Sequence, residues 1–338
     1  MSRWHAWRAW CWRQVAAADY GWAVPALARL PRPLARPLWM LRGLVNAAMD
    51  WDWRTLSLGH GYVRRSTMVA MRAIRARAAQ RLPPAPWLTL RRYLCASREE
   101  VDCWRLQRFD AARVRVHGLE PVLRARDQGR GLVLMTGHFD SLYVGLAALA
   151  RAGLRVNVMS SAITQQDAVP PAIRRHHQRK IDALNALLAP ARVAHFEDGL
   201  GFFVRALRRG EVVLIACDGP STSDKRAAEV DFLGARRPMA PGPQALAELA
   251  DAPLAMYCCR ETHPGRFEVE ISEPHTLAED GLQRAYAAFE RQLLAEPWRW
   301  WAADLYPTYE AAARERARIA ANAAERAKPT ANPAGATP

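Results

Sequence analysis

The sequence predicts an α/β fold: a mostly parallel central sheet flanked by helices, preceded by a helical N-terminal region. Three observations predict it. Two nearly continuous apolar runs, Leu132-Val133-Leu134-Met135-Thr136 and Val212-Val213-Leu214-Ile215-Ala216, have the length and composition of parallel strands buried on both faces. From residue 112 onward, short strand-like segments alternate with helix-length ones, as βαβ units require. Before that point, apolar residues recur at helical spacing and prolines cut the chain into pieces.

Taken in order, residues 1–20 suit a short amphipathic helix with Trp4, Trp7, Cys11 and Val15 on one side. Pro25, Pro31, Pro33 and Pro37 break up the next stretch of chain. Residues 38–80 and about 88–108 read as helices. Arg113 to His117 alternates like a strand, Leu119 to Asp127 is helical, and Gly129-Arg130-Gly131 turns into the first buried strand. A helix over 141–152 comes next. Then come a strand at Val156 to Met159, a basic helix over 171–189, a short strand at Ala191 to His195 and a helix over 199–209. After the second buried strand lie a helix from Pro243 to Ala250, strands at Leu254 to Cys259 and Phe267 to Ile271, and a helix over 282–295. An Ala/Arg/Glu helix over 311–328 leads into a Pro/Ala/Thr tail over 329–338, whose composition predicts disorder. The expected division is a helical N-terminal region over 1–110, an α/β core over 111–310 and a C-terminal helix with tail over 311–338.

The chain has 338 residues with 48 basic against 33 acidic, a net charge of +15. That surplus favours anionic partners: nucleic acid, anionic lipid or phosphate-bearing substrates. The basic residues are dispersed and match no recognition motif, which argues against nucleic acid. Thirteen Trp residues are present, and four of them, Trp4, Trp7, Trp10 and Trp12, alternate with Arg3, Arg8 and Arg13 at the start. Trp beside Arg suits a membrane interface, although Trp elsewhere in a chain more often packs in the core. There is no signal-peptide pattern and no uninterrupted apolar stretch of about 18 residues, so the expected attachment is peripheral, on an anionic membrane surface at the cytoplasmic face of an inner membrane. The six Cys show no CxxC pair and no metal spacing, as in a reduced protein, and His176-His177 lacks partner ligands for a metal.

In folds of this class, sites gather at the carboxyl ends of strands. The first buried strand ends in Gly137-His138-Phe139-Asp140 and the second in Cys217-Asp218-Gly219-Pro220. A His at a sheet mouth suits general-base work, and a nearby carboxylate would fix its tautomer. Asp140 is the nearest acid in sequence; it reads equally as the N-cap of the helix at 141–152. Gly137 would let backbone approach a substrate closely. Asp218 is a loop acid able to hold substrate or an Arg. Ser141 lacks a nucleophile-elbow context, so a serine hydrolase is not expected.

Several segments, in order, resemble the lysophospholipid acyltransferase superfamily, and in particular the late acyltransferases of lipid A biosynthesis (the lauroyl/myristoyl type). They are Arg115 to Glu120, Gly129 to Phe139 with its His, Arg208 to Asp218, Asp231 to Ala235 with Pro241 to Ala247, and Glu296 to Trp301. The resemblance spans roughly residues 112–302 and implies a glycerol-phosphate acyltransferase-like sheet. It implies transfer of a fatty acyl chain from an acyl carrier protein or CoA thioester to a hydroxyl of a lipid or glycolipid, with no cofactor beyond that co-substrate and no metal. His138 is the implied base. The family's dyad is His, four residues, then Asp or Glu; here Tyr143 occupies the acid's position, so Asp140 or Tyr143 would orient His138. The resemblance also implies substrate-binding roles for Arg179 in the basic helix and for Arg236, Arg237 and Gly242 in a substrate loop; Asp218, as a loop acid after a strand, is a further substrate-binding candidate. A second reading, supported by Tyr143, is a catalytically degenerate protein that binds lipid or a carrier protein on the same fold.

Overall fold

The two continuous apolar runs lie side by side at the centre of the sheet. The structure is a computed structural model and describes residues 3–162, 169–221 and 227–326. Its strands are β1 (Val114–His117), β2 (Leu132–Thr136), β3 (Val156–Ser160), β4 (Val193–His195), β5 (Val212–Ala216), β6 (Ala228–Phe232), β7 (Ala235–Met239), β8 (Leu254–His263) and β9 (Arg266–Ile271). Among the described residues, seven form one sheet in the order β1-β9-β8-β2-β5-β3-β4. β8, β2, β5, β3 and β4 run parallel; β9 pairs antiparallel with β8 and parallel with β1. The expected α/β fold with a mostly parallel sheet is therefore present.

Side chains alternate across the sheet, as strand geometry demands. On one face Val133, Met135, Val213, Ile215 and Met256 pack with the helices α5 (Tyr62–Arg77), α6 (Ala85–Cys103), α10 (Gly201–Arg208), α11 (Gly242–Ala250) and α12 (Gly281–Ala295). On the other, Leu132, Leu134, Val212, Leu214 and Tyr257 pack with α7 (Leu119–Asp127), α8 (Leu146–Arg151) and α9 (Pro171–Leu188). Met71 and Ile74 of α5 and Leu88 of α6 are fully buried in the first layer, so these N-terminal helices share the core of the sheet. Ahead of them lie α1 (Arg3–Ala18), a π-helical turn over Asp19–Ala23, α2 (Val24–Arg29), α3 (Arg32–Met49) and the short α4 (Thr55–Leu58). The C-terminal helix α13 (Tyr306–Arg326) starts five residues earlier than the sequence suggests, because Tyr306 and Tyr309 are buried in the core. The expected disordered tail lies outside the described residues.

Three elements differ from the sequence reading. The helix expected over 141–152 is only Leu146–Arg151, and 141–145 are turns. The expected substrate loop around Arg236 and Arg237 is an antiparallel hairpin, β6–β7. Its two-residue turn, Leu233-Gly234, has φ of 49° and 72°, the left-handed pair that tight hairpins favour. In α1 the described tryptophans divide: Trp7 and Trp10 are exposed, while Trp12 stacks on the buried Trp51 at 5.3 Å between centroids. The side chain of Trp4 lies outside the described residues. No helix among the described residues is long and apolar enough to cross a membrane.

Candidate active site

Thr136 of β2 and Ala216 of β5 are register partners, so the chain two residues beyond each arrives at the same place. There His138 and Asp218 meet twice. The His138 backbone N–H donates to Asp218 Oδ2 at 2.8 Å, and His138 Nδ1 lies 2.8 Å from Asp218 Oδ1. Asp218 is fully buried, whereas the His138 side chain remains about one-third exposed (35%). The Trp300 indole N–H donates to Asp218 Oδ2 at 2.8 Å, and the Tyr309 hydroxyl donates to the Asp218 carbonyl. Tyr286 donates to the carbonyl of Cys217, fixing the loop from below. Burial alone would raise the Asp218 carboxyl. The adjacent His138 charge, the two His138 hydrogen bonds and the Trp300 indole outweigh it and hold Asp218 below the ordinary carboxylate range. An ionised Asp218 accepts at Nδ1–H, and so leaves Nε2 of His138 as the basic nitrogen.

The other predicted residues are placed differently. Asp140 does not orient His138: its described side-chain partners are Arg98, Arg299, Ser141, Cys95 and the Glu261 backbone N–H. It sits at φ 42°, fully buried, with its backbone N–H bonded to the Arg299 carbonyl. Nor is Asp140 an N-cap, since α8 starts six residues later. The N–H groups of Asp140 and Ser141 are taken by the carbonyls of Arg299 and Cys259. Tyr143 faces Lys180, whose ammonium lies 4.6 Å from the ring centroid; burial raises its hydroxyl pKa. Arg237 is buried and held by the Phe232 carbonyl and Glu310, and Arg236 is an exposed neighbour of Asp231. Arg179 lies over the Trp104 ring. None of these three arginines reaches His138.

A cavity of about 470 Å³ opens at the carboxyl ends of β2, β3 and β5. Its walls are mainly apolar, including Leu142, Val158, Met159, Leu200 and Leu214, and His138, Tyr143 and Gly242 also line it. Gly242 opens α11 against this space; a Cβ there would stand 2.9 Å from Ile215 Cδ1. The helix terminus bordering the cavity is thus that of α11, rather than α8.

Residues 96–297, well over half of the chain, match the sequence profile of the bacterial lipid A biosynthesis acyltransferases. The chain belongs to this family. It is a lipid acyltransferase. Among solved structures it is similar to that of PlsC, the 1-acyl-sn-glycerophosphate (LPA) acyltransferase of Thermotoga maritima. The two share 14% identity over 79% of this chain and 98% of that chain, with a TM-score of 0.33. No curated protein matches the sequence.

The candidate site draws on residues to which the sequence assigned no role. Phe139 forms an antiparallel bridge with Trp300. The Trp301 N–H donates to the His138 carbonyl at 3.0 Å, and its ring meets the imidazole edge-on at 4.8 Å. The aromatic segment Trp298 to Trp301 marked the region, yet nothing in the sequence tied Trp300 to Asp218, and Tyr286 and Tyr309 carried no signal. N-terminal arginines complete the support: Arg54 and Arg92 donate to the Trp301 carbonyl. Packing requires a glycine at position 137, because a Cβ there would collide with the Phe289 ring. Gly137→Ala is expected to cost about 1–3 kcal/mol through overpacking, read as a lower urea midpoint.

Proposed function

We propose that this enzyme moves a fatty acyl chain from a carrier-protein or CoA thioester to a hydroxyl of a lipid or glycolipid, with His138 as general base and Asp218 as the carboxylate that orients it. The observation that carries this reading is the 2.8 Å contact of His138 Nδ1 with a buried, ionised Asp218 at the wall of an apolar cavity. Asp218 holds the imidazole with Nε2 free. That nitrogen takes the proton of the acceptor hydroxyl as the oxygen attacks the thioester carbonyl. The tetrahedral centre collapses, the thiolate leaves, and the imidazolium returns a proton to the sulfur. Asp218 stabilises the imidazolium while it exists. The apolar walls suit the acyl chain, since each buried methylene gains about 0.8 kcal/mol.

The sequence left open a non-catalytic reading because position 143 holds Tyr where an acid was expected. An acid supplied by the loop after the neighbouring strand supports the catalytic reading. The direct test incubates purified enzyme with acyl carrier protein and CoA thioesters and with lipid and glycolipid acceptors, and reads products by mass spectrometry. Wild type is expected to yield acylated acceptor and His138→Ala to yield it at a rate about 10²–10⁴-fold lower. Absence of product from every donor and acceptor pair with wild type would reject the proposal.

A further inference from the structure

Helix α3 is built inside out. Its buried residues include Arg42 and Asn46, 8% and 9% exposed. Arg42 is tied to Asp19 and Glu100, and Gly43 packs within 3.0 Å of the Leu94 backbone when given a Cβ. Its outward face carries Leu34, Leu38, Leu41, Leu44, Val45 and Met49, each between 42% and 61% exposed. A helix facing water shows the opposite arrangement. Beside this face lies a groove of about 620 Å³ walled by α1, α2 and α3, with Leu38, Leu41 and Val45 on one side and Val15, Ala18 and Leu27 on the other. Trp22, next to the groove residue Ala23, is 79% exposed.

The charges around this face are of one sign. Residues 1–98 contain 17 Arg and three acids. All three acids turn inward: Asp19 to Arg42 and Trp51, Asp50 to Tyr93 and the Arg64 N–H, and Asp52 to Arg54 and Arg92. Arg13, Arg29 and Arg36 stay exposed. An apolar helical face with an exposed Trp and only cations at its margin is complementary to an anionic lipid surface.

We propose that the α3 face is the membrane-docking surface of this enzyme, lying in the headgroup region of an anionic bilayer. This moves the expected contact from the first dozen residues to α3. It deepens the acyl-transfer reading and rests on it only for its purpose, delivery of a bilayer substrate. The test is co-sedimentation of the full chain with vesicles of equal phosphatidylglycerol and phosphatidylcholine, and with pure phosphatidylcholine. Tenfold or tighter partitioning onto the anionic vesicles is expected, weakening as salt rises. Leu38→Glu/Leu41→Glu is expected to lose tenfold or more, and Arg29→Glu/Arg36→Glu to lose the preference for anionic lipid. Both pairs are exposed, so circular dichroism and acyl transfer to detergent-dispersed acceptor should stay at wild-type levels. Wild-type partitioning by Leu38→Glu/Leu41→Glu would overturn the proposal. So would a solution dimer that these substitutions dissociate while vesicle binding persists, since the face would then belong to a second copy. Loss of transfer by wild type in detergent, with vesicle binding intact, would sink the chemistry and leave the docking face standing.

Discussion

Asp218→Asn is expected to lower kcat by about 10²–10⁴-fold, the range that general-base catalysis contributes, while KM changes little. The substitution keeps volume and both hydrogen-bonding positions, so the site should retain its shape. What it removes is the charge at 2.8 Å from His138 Nδ1. An amide in place of the carboxylate can present its NH₂ to the ring, which favours the tautomer with the proton on Nε2 and leaves no base for the acceptor hydroxyl. The same charge matters to folding. The folded pKa of Asp218 lies below its unfolded value of about 3.9. Its stabilising contribution is therefore fully present above that value and is lost as pH falls through the lower, folded one. Urea unfolding measured from neutral into acid pH should show this loss in wild type and a shallower dependence in Asp218→Asn.

Asp140→Asn is expected to act on stability, at a cost of about 3–5 kcal/mol, with kcat per folded molecule falling far less than in Asp218→Asn. Asp140 is fully buried between Arg98 and Arg299, and removing its charge leaves two guanidiniums facing each other in the interior. Glu261 and Glu296 also pair with these arginines, which places the loss toward the lower end of that range. Asn is the informative replacement because position 140 has φ 42°, a conformation Asn tolerates and β-branched residues resist. Equilibrium unfolding in urea measures the cost. A drop in kcat as large as that of Asp218→Asn, without loss of stability, would return the orienting role to Asp140.

These two acids show where the sequence was legible and where it was not. The strands were legible because burial on both faces leaves an unbroken apolar run, as in β2 and β5. The rule that sites form at strand ends then picked out both His138 and Asp218. Their pairing was not legible, because it depends on β2 and β5 being adjacent across 80 residues of chain. Reading acids by sequence distance from His138 favours Asp140, two residues away. Its real partners come from α6 and from the segment after α12, 42 and 159 residues away in sequence. The β6–β7 hairpin does leave a trace in the sequence: Glu229-Val230-Asp231-Phe232 alternates, and Leu233-Gly234 supplies its turn. The reversed polarity of α3 was invisible for a different cause. Its periodicity gives an amphipathic helix, and only its packing on α6 shows that the polar side faces inward.

The most direct test of the central claim, that His138 and Asp218 act as one unit, is the double-mutant cycle on the acyl-transfer rate. His138→Ala/Asp218→Asn is expected to be no slower than His138→Ala alone, because an orienting carboxylate has nothing left to orient. Additive losses, with the double variant slower by the product of the two single factors, would contradict it and assign Asp218 a role independent of His138.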